Sequence, residues 1–354
     1  MKEFAKRVAK NGLRLVRKVR PLGYVLDQWS SGYAGLFPEV FAGKNWGLVD
    51  GVFSACRRRL RHDPDWRLGP DRVKEVAREA FDRLSACTSL ENRVYCDLGC
   101  GKLHPYGPSA VMYLNGAGSA IALDLADADP RRAAEALYDL LVECIVFPDH
   151  WHWSGISRED FNRRARQFNL EALRDGDLRV GLELTPLRHV VTDIHNPCLA
   201  EGAIDIMASR AVLEHFLDFG LAVQRLYALM APGAVAFHHI DLVDHRAYGD
   251  PSRYHWWSFL AEDDDWSNGH VNRLRASEIR ALFEKAGFEV LRYDCQKGQM
   301  PEGFRSRLKG RFARMPDDEL NTIWVELVLR RPGKPSVKLP ALAPSSWRTD
   351  RWMT

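Results

Sequence analysis

Seven short apolar runs, each closed by a turn signal, punctuate the chain, with segments of helical period between them. Val94, Tyr95 and Cys96 run into Asp97-Leu98-Gly99-Cys100-Gly101, and Ala120 to Leu123 end on Asp124. Further runs are His189 to Asp193, the fourth strand within 203–215, Ala234 to Ile240, Phe288 to Tyr293 and Thr322 to Leu329. Such runs predict strands buried on both faces, as in a parallel sheet. Asp71 to Ser85 puts Val73, Val76, Ala77, Ala80, Phe81 and Leu84 on one side of a helix. Further helices are predicted from Pro105, around Pro130 to Cys144, over Leu221 to Leu229, and over Ala276 to Ala286 with Gly287 as its stop. Strands alternating with helices predict an α/β doubly wound fold.

Several stretches fall outside this rhythm. Residues 2 to 20 place Phe4, Val8, Leu15 and Val19 at near-helical spacing among eight Lys or Arg. Such a basic amphipathic helix either lies on an anionic membrane surface or packs on a protein surface. An aromatic stretch follows, from Tyr24 to Trp46, and then a second basic cluster, Arg57 to Arg61. About 70 residues separate Asp124 from Asp193, roughly twice what one helix and one strand need. Residues 242–276 form a second insertion, rich in Trp, and a Pro-rich tail begins at Pro332. The expected organisation is therefore an N-terminal helical and aromatic cap over 1–90, a main domain over 91–331 with insertions at about 127–185 and 242–276, and a tail over 332–354.

Composition narrows the class. The net charge of +3 gives no general attraction to nucleic acid, so none is expected as a partner. Seven scattered cysteines fit a reduced, cytoplasmic protein, with contact at the inner membrane face through the basic helix as the alternative. No apolar run reaches the ~18 residues of a membrane span. His150 and His152 stand two apart without a third ligand nearby, so polar cap residues are expected there rather than zinc.

The chemistry gathers at the carboxyl ends of the predicted strands, where open α/β sheets bind ligands. Gly99 and Gly101 permit a sharp turn and a close backbone approach. Asp124, 23 residues after Gly101, lies where such folds hold a ribose diol. Leu103 occupies the third glycine position, which disfavours a dinucleotide and tolerates a ligand without phosphates. This glycine loop resembles motif I of the class I S-adenosylmethionine (SAM)-dependent methyltransferases. Ala203 to His215, with Ser209 and the sequence Leu213-Glu214-His215, resembles that family's fourth strand and following turn. Pro232-Gly233 before a strand, and Ala286-Gly287-Phe288 after a helix, are similar to its later landmarks.

The resemblance implies a Rossmann-like, seven-stranded, mostly parallel sheet with helices on both faces, and SAM as methyl donor. It implies cofactor contacts from Asp97, Gly99, Gly101, Asp124, Asp193 and Ser209. Asp193 would accept from the adenine amino group, or else cap the turn that follows it. Some relatives bind a metal through E-x-x-E-H at the turn after strand four. Here Ala211 stands where the first acid belongs, so no metal is expected.

For methyl transfer to a hydroxyl, a histidine base is the common choice. His239 is the expected base, with Asp241 or Asp244 orienting it, and His245 stands nearby. The alternative for each is a hydrogen-bonded loop residue. His215, Trp256, Trp257, Asn272, Arg273 and Arg275 are expected to meet the acceptor, because aromatic faces suit sugars and paired arginines suit anions. The combination is similar to methyltransferases of bacterial polysaccharide synthesis, which implies a sugar or polysaccharide precursor, or another small molecule, as acceptor. A prenyl or phenolic acceptor, and a non-catalytic SAM-fold scaffold protein, are the alternatives.

Overall fold

The computed structural model describes residues 69–195, 199–262 and 271–333. The basic helix, the aromatic stretch and the second basic cluster lie outside the described residues, as do Trp266, His270 and the tail beyond Gly333. In chain order the elements are α1 (Pro70–Ser85), β1 (Val94–Leu98), α2 (Gly107–Leu114), β2 (Ser119–Asp124), α3 (Pro130–Val146), α4 (Arg158–Ala165), α5 (Leu170–Arg174), α6 (Leu178–Leu182), β3 (Leu187–Val191), β4 (Ile204–Arg210), α7 (Phe219–Leu229), β5 (Met230–Asp241), α8 (Ala276–Lys285), β6 (Glu289–Lys297) and β7 (Thr322–Arg330). All seven expected strands are present. β3 sits two residues earlier than the sequence suggested, so Asp193 lies beyond the strand end rather than on it.

The chain divides into two compact units. The first holds, among described residues, 69–75, 102–116 and 128–186, and so includes α2 and the expected first insertion. Its centre is polar as well as apolar. The buried Asn115 side chain donates to the carbonyls of Val111 and Trp151 and accepts from the amides of Trp153 and Ser154. That one amide satisfies the turn after α3, which would otherwise bury bare backbone groups. His152 Nε2 lies 2.8 Å from the Ile156 carbonyl, and the Trp153 indole donates to the His150 backbone carbonyl.

The second unit carries the whole sheet, in the order β3-β2-β1-β4-β5-β7-β6. The first five strands pair in parallel, and β7 runs antiparallel between β5 and β6. One face packs on α7 and α8. Phe219, Val223 and Leu226 of α7 and Ile279 and Phe283 of α8 meet Leu98, Met207, Ile240, Val325 and Leu327 there. Each such buried side chain contributes about 1.5–3 kcal/mol. Strand alternation sends His238 to this face, where its ring stacks 5.6 Å from Phe283, while His239 faces the other way. The described residues of the 242–276 insertion are packed. Trp257, Phe259, Leu260 and Val271 form a second small core with Phe304, Leu308, Phe312 and Leu320.

Candidate active site

The glycine loop folds as its residue types require. Gly99 and Gly101 both have positive φ, +75° and +73°. A Cβ on Gly99 would lie 2.2 Å from Val212 Cγ2, so the loop after β4 presses directly on it. A Cβ on Gly101 would meet nothing within 4 Å. The Gly101 amide donates to Asp124 Oδ2 at 2.8 Å, and the Ala126 amide to Oδ1 at 2.8 Å. Asp124 therefore locks the loop, and its oxygens keep lone pairs for a further donor.

Asp97, at the end of β1, is buried, and its Oδ2 has no hydrogen-bond partner. Burial pushes its carboxyl up to about 7, helped by the neighbouring Asp124 charge. A buried acid with a bare oxygen beside an open glycine turn fits a cationic ligand, and the ammonium of SAM is one. The remaining expected contacts are differently engaged. Asp193 Oδ1 accepts from the amide of His195 and lies 2.9 Å from its Nδ1. Those bonds hold its carboxyl below the usual range and give the turn-capping arrangement. The Ser209 hydroxyl lies 2.8 Å from Nδ1 of buried His238, whose imidazole burial lowers to about 3, so that ring is neutral.

The expected pairing of His239 with Asp241 or Asp244 does not form. The His239 imidazole faces Glu79 of α1 and Glu326 of β7, with Nδ1 3.4 and 3.5 Å from their oxygens, and stacks on Trp324. Arg210 pairs with Glu79, and Arg83 with Glu326. Burial alone would lower the His239 pKa; the bonds to Glu326 and Glu79 outweigh it and hold the ring above its ordinary value. This network ties α1 to the sheet. Glu326 was the signal in the sequence, a lone acid within the apolar run of β7; nothing marked Glu79. Asp244 instead accepts from the Arg246 backbone amide and from its guanidinium Nε and Nη2.

Asp241 meets His245. His245 Nε2 stands 3.3 Å from Asp241 Oδ2 and 3.8 Å from Glu214 Oε1, and the Tyr248 hydroxyl donates to Asp241 Oδ2 at 2.6 Å. His215 sets its ring edge-on to His245 at 5.1 Å. Glu214 is 1% exposed, and burial pushes its carboxyl up to about 8 although its own amide and that of Asp241 face it. This group sits at the carboxyl ends of β4 and β5, with Glu214 and His215 on the loop whose Val212 presses on Gly99.

The acceptor residues divide. Trp256 is 41% exposed, whereas Trp257 is buried in the second core and donates to the Leu320 carbonyl. Asn272 clamps the Glu214 turn, its amide donating to the Glu214 carbonyl at 2.6 Å and its side chain to those of Leu213 and Phe216. Arg273 bonds the carbonyls of Phe259 and Glu262. Arg275 is wholly buried, donating to the carbonyls of Leu242, Leu320 and Thr322. Burial lowers its pKa to about 10. Trp257 and Arg275 thus hold the fold and present nothing to an acceptor, because both are buried and the Trp257 indole and both terminal Arg275 nitrogens are spent on backbone carbonyls.

Sheet order, glycine turn and the acid at the end of β2 define a Rossmann-like, SAM-dependent methyltransferase. Residues 71–293 match the family described as methyltransferase domain, and the chain belongs to that family. No curated protein matches the sequence. Among solved structures it is similar to a SAM-dependent methyltransferase from Mesorhizobium loti (15% identity, 73% of this chain and 100% of that one, TM-score 0.41). It is also similar to a geranyl diphosphate methyltransferase in complex with SAM (12%, 73% and 85%, TM-score 0.41) and to the [4+2]-cyclase SpnF (13%, 74% and 81%, TM-score 0.41). Among the described residues no helix is long and apolar enough to cross a membrane.

Proposed function

We propose that this enzyme methylates a hydroxyl of a sugar or polysaccharide precursor, with the acceptor seated at Glu214, Asp241 and His245. The observation that carries the reading is the convergence of Asp241 and His245 at the carboxyl end of β5, the edge where open α/β sheets act. SAM, when bound, supplies a methyl carbon made electrophilic by its sulfonium sulfur. Asp97 would hold its ammonium, Asp124 its ribose hydroxyls, and Asp193, once rotated from His195, its adenine. The acceptor oxygen forms the new bond to the methyl carbon as the carbon–sulfur bond breaks, its electron pair remaining on sulfur.

The protein's part is to align that oxygen and to receive its proton. His245, oriented by Asp241, is the base these residues supply alone; His239 keeps a positioning role through Arg210 and Glu79. The exposed rings of Trp256 and Tyr248 offer flat faces to a sugar. A prenyl acceptor is less well served, because Trp257 is already packed in a core. The test is a panel of glycosides and phenols with radiolabelled SAM. Turnover of glycosides, lost at least 100-fold in His245→Ala and Asp241→Asn with S-adenosylhomocysteine affinity kept, supports the reading. Turnover of phenols alone removes the sugar, and full activity in both variants removes the base.

A further inference from the structure

Among the described residues two clusters of two acids and a histidine stand in the second unit: Glu79, His239 and Glu326, and Glu214, Asp241 and His245. They have the same composition and opposite surroundings. In the first, Arg210 and Arg83 already balance the carboxylates. In the second, no Lys or Arg among the described residues pairs with Glu214 or Asp241. Its ligand atoms nonetheless lie within 4.8 Å of one another.

Hydrogen bonding does not account for that convergence. Both Glu214 oxygens and His245 Nε2 are buried without a hydrogen-bond partner, although Nε2 points at both acids. A buried acid whose oxygens lack full partners is costly, and a cation set among them offsets that cost. The turn that carries Glu214 is pinned by three bonds from Asn272, so the side chain is held toward the cluster by its backbone. Tyr248 fixes the Asp241 carboxylate from outside, as the outer partners of metal ligands do.

We propose that Glu214, Asp241 and His245 form a binding site for a divalent transition-metal cation. Two carboxylates and one imidazole suit manganese, iron, cobalt or zinc and do not suit calcium, which takes oxygen ligands. Three protein ligands leave positions open for oxygen atoms of the acceptor. A cation there orients the hydroxyl and eases loss of its proton, and His245 then serves as ligand rather than base. The E-x-x-E-H pattern, with Ala211 at its first place, is not used: two of the three ligands come from the end of β5 and the loop after it. The proposal rests on the acceptor reading above only for what the cation does, and not for whether it binds.

The test uses the full chain and Mn²⁺ alone, followed by electron paramagnetic resonance and calorimetry after chelator treatment. One Mn²⁺ per chain with micromolar affinity is expected, weakened at least tenfold in Glu214→Gln and in Asp241→Asn, with no change in Glu326→Gln. The affinity for S-adenosylhomocysteine should stay within twofold in the two ligand variants, which shows them folded and tests the cofactor site separately. Should either variant fail to fold, the wild type still decides, because Mn²⁺ must raise its melting temperature and the chelator must reverse that. Absence of stoichiometric binding, or equal binding in the wild type and both ligand variants, overturns the site. Loss of hydroxyl methylation with Mn²⁺ binding intact would instead strike the acceptor reading.

Discussion

Gly99 and Gly101 share a loop and nearly the same φ, yet alanine should affect them differently. At either position a Cβ must accept the left-handed backbone, which costs about 1–2 kcal/mol. At Gly101 the cost ends there, because the added atom meets nothing within 4 Å. At Gly99 the atom would stand 2.2 Å from one Val212 methyl and 2.7 Å from the other, against a normal carbon–carbon contact of about 3.5–4.0 Å. Opening that gap is an overpacking cost of about 1–3 kcal/mol. Gly99→Ala should therefore destabilise by about 2–5 kcal/mol and Gly101→Ala by about 1–2 kcal/mol. The first figure is a large part of the ~5–15 kcal/mol that holds a domain together. Equilibrium urea unfolding, followed by tryptophan fluorescence, measures both. Val212→Ala placed in the Gly99→Ala background removes the obstructing methyls and should recover about 1–3 kcal/mol as a coupling energy. Equal losses at the two glycines, or no coupling with Val212, would refute the reasoning and leave φ as the only term.

Three further outcomes follow from the site. Arg275→Met takes the guanidinium from the carbonyls of Leu242 and Thr322, whereas that of Leu320 keeps the Trp257 indole; at about 1–3 kcal/mol each, the two lost bonds should cost at least ~2 kcal/mol by urea unfolding while soluble protein still binds S-adenosylhomocysteine. His239 has a folded pKa above its unfolded value, so its share of stability is complete below about pH 6.5 and is lost as pH rises through the folded pKa; melting temperatures across pH 6 to 9 should show that slope in the wild type and not in His239→Gln. Asp97 must ionise to hold a cation, so affinity for S-adenosylhomocysteine should fall roughly tenfold per unit below pH 7, whereas Asp97→Asn should bind weakly without that slope, as calorimetry would read.

The sheet was legible because burial on both faces writes each parallel strand as an apolar run, and because glycines and acids mark where the runs stop. Local signals carried the glycine loop equally well: Gly101 and Asp124 lie 23 residues apart and are hydrogen-bonded. The acceptor side was harder to read. Alternation said that His238 and His239 part company, but it could not say which partners wait on each face. Glu79 reaches His239 from a helix 160 residues upstream, and no local pattern announces such a meeting. The arginines misled for a related reason. Asn272-Arg273-Leu274-Arg275 reads as an exposed anion clamp, and only tertiary packing reveals that Arg275 is spent on carbonyls.

That use of Arg275 has a consequence for how this sequence can drift. A guanidinium that grips main-chain oxygens is indifferent to the side chains borne by its partners. Leu242, Leu320 and Thr322 can each be exchanged for residues of similar bulk without disturbing those bonds. Relatives that keep the second core should therefore hold an arginine at this place while the three positions it binds vary independently of it. Covariation, which detects residues by their shared changes, would pass over one of the most densely bonded side chains in the fold.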